Sequence, residues 1–212
     1  MTGQQLFLLF FIFEQADAGN ICRKFMTMAL FIIALLITVG GFSLYVYNRL
    51  VRLSNYVEEA WSGIDVQLRK RHDLIPLLVS TVQGYAGHEK KLLEAITSLR
   101  VQGMSASGVR ESEKAEVELS KALGKLFVVI ENYPELKASQ NFLELQRDIS
   151  RVENDLQKAR RYYNGTVRNY NILVGQFPSS LVAKATDHHP REFFDIGDES
   201  ERAVPGFKIL NE

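Results

Sequence analysis

Residues 25–47 read FMTMALFIIALLITVGGFSLYVY, without one Asp, Glu, Lys, Arg or His. As a helix this stretch is about 35 Å long at about 1.5 Å per residue, enough to cross the ~30 Å hydrocarbon layer of a bilayer. Arg23 and Lys24 precede it and Arg49 and Arg52 follow it. Tyr45 and Tyr47 lie at its exit, where amphipathic rings favour the membrane interface. The chain therefore reads as one N-terminal transmembrane helix with a helical domain after it. Five basic residues follow the span closely (Arg49, Arg52, Arg69, Lys70, Arg71) against Arg23 and Lys24 before it. That excess favours a cytoplasmic C-terminal domain.

Residues 1–24 form a leader that is open to three readings. The apolar run at 6–13 (LFLLFFIF) is too short to span, which suits an interfacial segment. The start codon is misassigned in the second reading, with Met26 or Met28 as the true start. A cleaved signal peptide is the third, although no basic residues precede the run. Cys22 is the only cysteine, so no intrachain disulfide and no Cys-based metal site can form. Its position beside the span also suits lipidation. The formal net charge is zero, which gives no electrostatic case for nucleic-acid binding.

Past the span, apolar residues fall at helical spacing. Leu50, Leu53, Val57, Ala60, Ile64 and Leu68 begin a seam that resumes at Ile75, Leu78, Val82 and Tyr85. Pro76 lies inside it, where a kink is expected. Trp61 beside the seam is read as core. A short amphipathic helix follows at 88–102, and 103–108 (GMSASG) reads as a linker. The helix at 111–133 has its seam at Leu119, Leu123, Leu126, Ile130 and Tyr133, with Glu111, Glu113 and Glu116 set by the helix dipole at its start. The last long helix, about 141–176, starts at Ser139 or Asn141 as N-cap. Its seam runs Phe142, Leu145, Ile149, Val152, Leu156, Ala159, Tyr163, Val167, Tyr170 and Val174. The first and last helices of the domain would each be roughly 50 Å long. Matched lengths and short connections favour antiparallel packing.

The fold class is thus all-α. One N-terminal transmembrane helix precedes an antiparallel helical bundle, of four helices or alternatively three long ones. The divisions are 1–24 leader, 25–47 span, 48–178 bundle and 179–212 tail. The tail carries apolar points at Phe193, Phe194 and Phe207 and is expected partly ordered against the bundle or loose.

No phosphate loop, zinc-protease motif or nucleophile elbow occurs. Adjacent His188 and His189 are read as solvated tail. His72 and His88 are read as surface or capping residues, and Arg69, Lys70 and Arg71 as a solvated face. The sequon at 164–166 lies in a helical seam and is read as accidental. No catalytic residue, cofactor or metal is expected. Asp65 or Asp73 on the first helix is expected to pair with Arg161 or Arg168 on the last. Such a pair would fix register between two heptad seams that tolerate a seven-residue slip.

Several stretches carry a resemblance: NRLVRL at 48–53, VEEAW at 57–61, DVQLRKRHDLIPLLV at 65–79, ENYPELK at 131–137, NFL at 141–143, ARRYYN at 159–164, YN at 170–171 and FPSSLVA at 177–183. In this order they resemble the LemA family of bacterial membrane proteins, from about residue 29 onward. Leu77 departs from the family's common Asn. The resemblance implies a short outer N-terminus, one span and a cytoplasmic helical bundle at the bacterial cytoplasmic (inner) membrane, with no established enzymatic activity. The expected function is a membrane-anchored scaffold or adaptor. Its partners would be the lipid bilayer and another membrane or cytoplasmic protein, with a homo-oligomer left open. The alternatives are a regulatory partner of a membrane protease or envelope-stress system, and magnetosome-type organelle membrane biogenesis. An enzyme with a polar cluster hidden in the bundle core is the third class.

Overall fold

A computed structural model describes residues 3–194, with side chains from Arg23 onward. The expectations on Cys22 and on Phe207 lie outside the described side chains. The described residues are all-helical, without strands. Helix α1 (Gly3–Gln83) runs unbroken for 81 residues and, among the described residues, holds the one helix segment, within Arg23–Gln83, long and apolar enough to cross a membrane. A short 3-10 turn (Gly87–Glu89) leads into α2 (Lys90–Ser105). Then come α3 (Val109–Ile130), the single turn α4 (Pro134–Lys137), α5 (Gln140–Gly175) and α6 (Ser179–Ala185).

The breaks follow the chemistry of the chain. Gly108 adopts φ +83°, a conformation that favours glycine, and separates α2 from α3. Ser107 then donates from both its backbone N–H and its hydroxyl to Glu111, across the start of α3. Pro134 opens α4, where its missing N–H costs nothing. Two boundaries differ from the sequence reading. Helix α2 continues through Gly103 to Ser105, so only 106–108 act as linker. Ser139 does occupy the N-cap of α5, but no side-chain cap bond forms there.

Trp61 lies against Tyr163, with ring centroids 5.6 Å apart, while Arg71 reaches Glu153 at 2.8 Å. Ascending positions on α1 thus meet descending ones on α5, and the two helices run antiparallel. Their seams bury two separate apolar cores. The span-proximal core joins Val46 through Leu68 of α1 with Leu156 through Val174 of α5, and is completed by Ala183 and Phe194. The distal core joins Ile75 through Val82 of α1, and Ala86 just beyond it, to Leu93 and Ile96 of α2, Leu119 through Ile130 of α3, and Phe142 through Ile149 of α5. Fully burying one Leu or Ile contributes about 2 kcal/mol, so each core is a substantial unit by itself. Tyr85, placed in the seam by spacing, is instead exposed.

The described part of the tail is ordered. Residues 186–194 return along α5 and are held there by two asparagines. Asn164 donates to the Phe194 carbonyl and accepts the Phe194 N–H, each at 2.9 Å. Asn171 does the same for Arg191, each at 2.8 Å. Seven residues of helix rise about 10.5 Å and three extended residues about 10 Å, so the two clamps are in step. The sequon asparagine is therefore a structural clamp. His188 packs edge-on to Tyr47 at 6.1 Å between centroids and lies 6.4 Å from Tyr170, so it is not solvated tail.

Candidate functional site

Between the two apolar cores lies a buried polar layer to which α1, α2, α3 and α5 all contribute. Its first member is Arg71, only 2% exposed despite its place in a basic run. The seam explains this. Leu50, Val57 and Ile64 recur every seven residues, and the next interval lands on Arg71 before Leu78 resumes the row. The second member is Glu116, also 2% exposed. Running the α3 seam back from Leu119 in steps of three and four lands on Glu116 and then Ser112, both buried. Helix-dipole placement therefore does not account for Glu116: it faces the core.

The layer is closely bonded. Arg71 donates from Nη1 to Glu116 Oε2 at 2.5 Å. Its Nη2 lies 2.8 Å from both Ser120 Oγ and Glu153 Oε1. His72 Nε2 meets Glu116 Oε1 at 2.7 Å. One carboxylate of α3 thus holds two consecutive residues of α1, and both its oxygens are engaged. Charge-assisted bonds of this kind are short and about twice as strong as neutral ones. His72, read from sequence as a surface or capping residue, is instead buried with Glu116.

Helix α2 joins through backbone. Pro76 lacks the N–H that would bond the carbonyl four residues earlier, so the His72 carbonyl has no helical donor. Arg100 Nε donates to it at 2.6 Å. Helix α1 runs on through Pro76 to Gln83. Gly103 makes the approach of α2 possible. A Cβ there would lie 2.9 Å from His72 Nε2 and 3.1 Å from Glu116 Oε1.

Burial pushes the Glu116 carboxyl up, but the His72 hydrogen bond and the Arg71 charge outweigh it and hold the group below its ordinary value of 4.5. Arg160, one heptad beyond Glu153 on α5, is also buried. Its burial, and then repulsion from Arg71, lower its pKa to about 10, against the attraction of Glu153, Glu116 and Glu113. It remains a cation at neutral pH, with its guanidinium 5.0 Å from the centroid of the Phe194 ring.

The residues expected to set the register stand elsewhere. Asp65 pairs with Arg69 of its own helix at 2.8 Å. Asp73, Arg161 and Arg168 are exposed. Among the described residues no ion pair joins Asp65 or Asp73 to Arg161 or Arg168; the ion pairs that link α1 to other helices across the interior are made by Arg71 and His72. Both oxygens of Glu116 and both terminal nitrogens of Arg71 are bonded within the layer, while Nε of Arg71 and Nε of Arg160 are buried without a hydrogen-bond partner. Among the described residues no group of three or more His, Cys, Asp or Glu converges as a metal site.

The model of the LemA family matches residues 60–208, which include every member of this layer. Protein LemA of Metamycoplasma hominis is 28% identical over 189 residues, covering 85% of this chain and 84% of that protein. Magnetosome protein MamQ 2 of Paramagnetospirillum magneticum is 23% identical over 174 residues, 70% of this chain. Magnetosome protein MamQ of Magnetospirillum gryphiswaldense is 19% identical over the same length. This chain spans 64% of each of those MamQ relatives. Neither the family description nor these names specify a reaction. The chain belongs to the LemA family.

Proposed function

We propose that this protein is a membrane-anchored helical scaffold, a four-helix bundle held rigidly on a single span and engaging another protein through its outer faces. One observation carries the reading: α1 continues without a break from the apolar segment at 25–47 to Gln83 inside the bundle. A continuous helix transmits position and orientation from the membrane to the domain, which suits an adaptor. The polar layer supports a structural role, because its charged groups bond to one another across the helices. The reading sets the bundle on the cytoplasmic side of a bacterial inner membrane, on the strength of the basic residues after the span.

A second reading is favoured by the likeness to proteins named for the magnetosome: a role in organising an internal membrane of that kind. It uses the same scaffold and differs in the membrane it serves.

The test is photo-crosslinking in cells. A crosslinking residue is placed singly at exposed bundle positions such as Val101, Val128 and Tyr162 of the full chain. A scaffold yields discrete, reproducible adducts in the membrane fraction. Failure of every position to form an adduct, together with turnover of a metabolite by the purified chain, would overturn it.

A further inference from the structure

Helix α6 does not lie on the outer surface of the distal bundle. It packs beside the apolar segment of α1. A wedge-shaped cavity of about 870 Å³ opens between Thr38, Val39 and Phe42 on one side and Pro178, Leu181 and Val182 on the other. The α1 side of the cavity runs on through Ser43 and Leu44 to Tyr47, so α6 lies alongside the last turns of the candidate span.

The order of contacts gives its direction. His188 is level with Tyr47, and Arg191 is farther from the span, 3.4 Å from Ser54 Oγ and 3.5 Å from Glu58. The antiparallel register of Trp61 with Tyr163 and of Arg71 with Glu153 carries the end of α5 down to about the level of Tyr47, and the α5–α6 turn at Phe177 and Pro178 follows there, at the exit of the apolar segment. Thr38 lies nine residues before Tyr47, about 14 Å along the helix. Phe177 is 77% exposed and Leu181 60%, which would be costly side chains to leave in water at a turn. Residues 172–186 carry a single charge, Lys184, whose long stem lets its ammonium reach the surface.

Much of the polar backbone around the turn is bonded internally. Ser179 Oγ lies 2.7 Å from the Leu173 carbonyl and 2.8 Å from that of Gln176. Thr186 Oγ1 donates to the Val182 carbonyl at 2.8 Å, and the backbone N–H groups of Ser180, Leu181 and His188 are all bonded internally. Hydrocarbon demands this internal satisfaction and water does not.

We propose that the α5–α6 turn is a second membrane-contacting element, which inserts into the leaflet the span leaves by and admits lipid acyl chains into the wedge between α6 and α1. The proposal rests on the reading that residues 25–47 span the bilayer. It makes the membrane grip the bundle at two points, the span and the far end of α5, and so fixes tilt as well as position.

The experiment uses the full chain with Cys22→Ser, reconstituted in phosphatidylcholine–phosphatidylglycerol vesicles with or without brominated lipid. Single cysteines at Leu181 and, separately, at Phe177 carry an environment-sensitive fluorophore. Leu35 in the span and Val128 in the bundle are the references. The labels at 181 and 177 should emit to the blue of that at 128 and be quenched by brominated lipid comparably to that at 35. Aqueous emission at both positions, with Leu35 quenched, overturns the proposal and leaves the span standing. Blue-shifted emission without lipid quenching also overturns it, because a protein then covers the turn. An unquenched Leu35 removes the span and the proposal together.

Discussion

Arg100 Nε donates to the His72 carbonyl at 2.6 Å, the acceptor that Pro76 deprives of its helical donor. A proline that should weaken α1 thereby becomes the point at which α2 is attached to it. Arg100→Leu removes a charged hydrogen bond to a carbonyl in a partly buried site, and about 1–3 kcal/mol of stability should go with it. In a Pro76→Ala background the restored N–H serves the same carbonyl, and the loss should be clearly smaller. Urea denaturation of the detergent-solubilised full chain measures both. Equal losses in the two backgrounds would separate Arg100 from the proline.

Two glycines should respond oppositely to alanine. Gly103→Ala puts a methyl 2.9 Å from His72 Nε2, which is already held by Glu116, and should cost about 1–3 kcal/mol despite the better helix propensity. Gly124, inside α3, has nothing within 4 Å of an added Cβ. Gly124→Ala should stabilise by roughly 0.5–1 kcal/mol. Thermal melts of the two variants side by side give the signs.

The asparagine clamps predict local opening. Asn164→Ala removes both bonds to Phe194, and hydrogen exchange at that amide should accelerate while the α3 amides keep their protection. Asn171→Ala should do the same at Arg191. Site-resolved hydrogen exchange reads each separately. If exchange at 191 and 194 is unchanged, the tail is held by Phe194 packing alone.

How much of this was legible in the sequence depended on the type of signal. Nearly all apolar seam positions are buried where spacing put them, because burial of a helical stripe is a periodic property. The candidate span stands out by its unbroken run of apolar residues. The polar layer was missed because Arg71 and Glu116 were judged by type: one as part of a basic run, the other as an acid near a helix start. Their positions carried the information, since each falls on an apolar seam extended by one step. The emphasis on Asp65, Asp73, Arg161 and Arg168 followed charge and overlooked face; three of the four are exposed, and Asp65 bonds within its own helix. The clamps had a trace too, in Tyr-Asn at 163–164 and again at 170–171, one heptad apart. The place of α6 beside the apolar segment of α1 had no such trace, because it depends on where α5 ends relative to that segment.

Acid should act through Glu116. Its carboxyl titrates below 4.5 in the folded chain, so its contribution to stability is complete above that value and is lost as pH falls through the folded pKa. Glu116→Gln should therefore be much less stable than the parent at pH 7, and the gap should narrow as pH drops below about 4.5. Urea denaturation midpoints of both proteins from pH 7 to pH 3 follow the gap. A gap that stays constant over that range would mean Glu116 does not titrate with folding.

The Arg71–Glu116 pair, as the device that registers α1 against α3, is tested most directly by a double-mutant cycle. Removing one partner of a buried pair leaves a charge without compensation, so Arg71→Met and Glu116→Leu should each cost about 3–5 kcal/mol. The double variant replaces the pair with apolar groups and should cost well under the sum, with a coupling of about 1–3 kcal/mol. The exposed Asp73 and Arg161 serve as the reference cycle and should show no coupling beyond error. The contradicting result is additivity at Arg71 and Glu116, with the two single losses summing to that of the double variant.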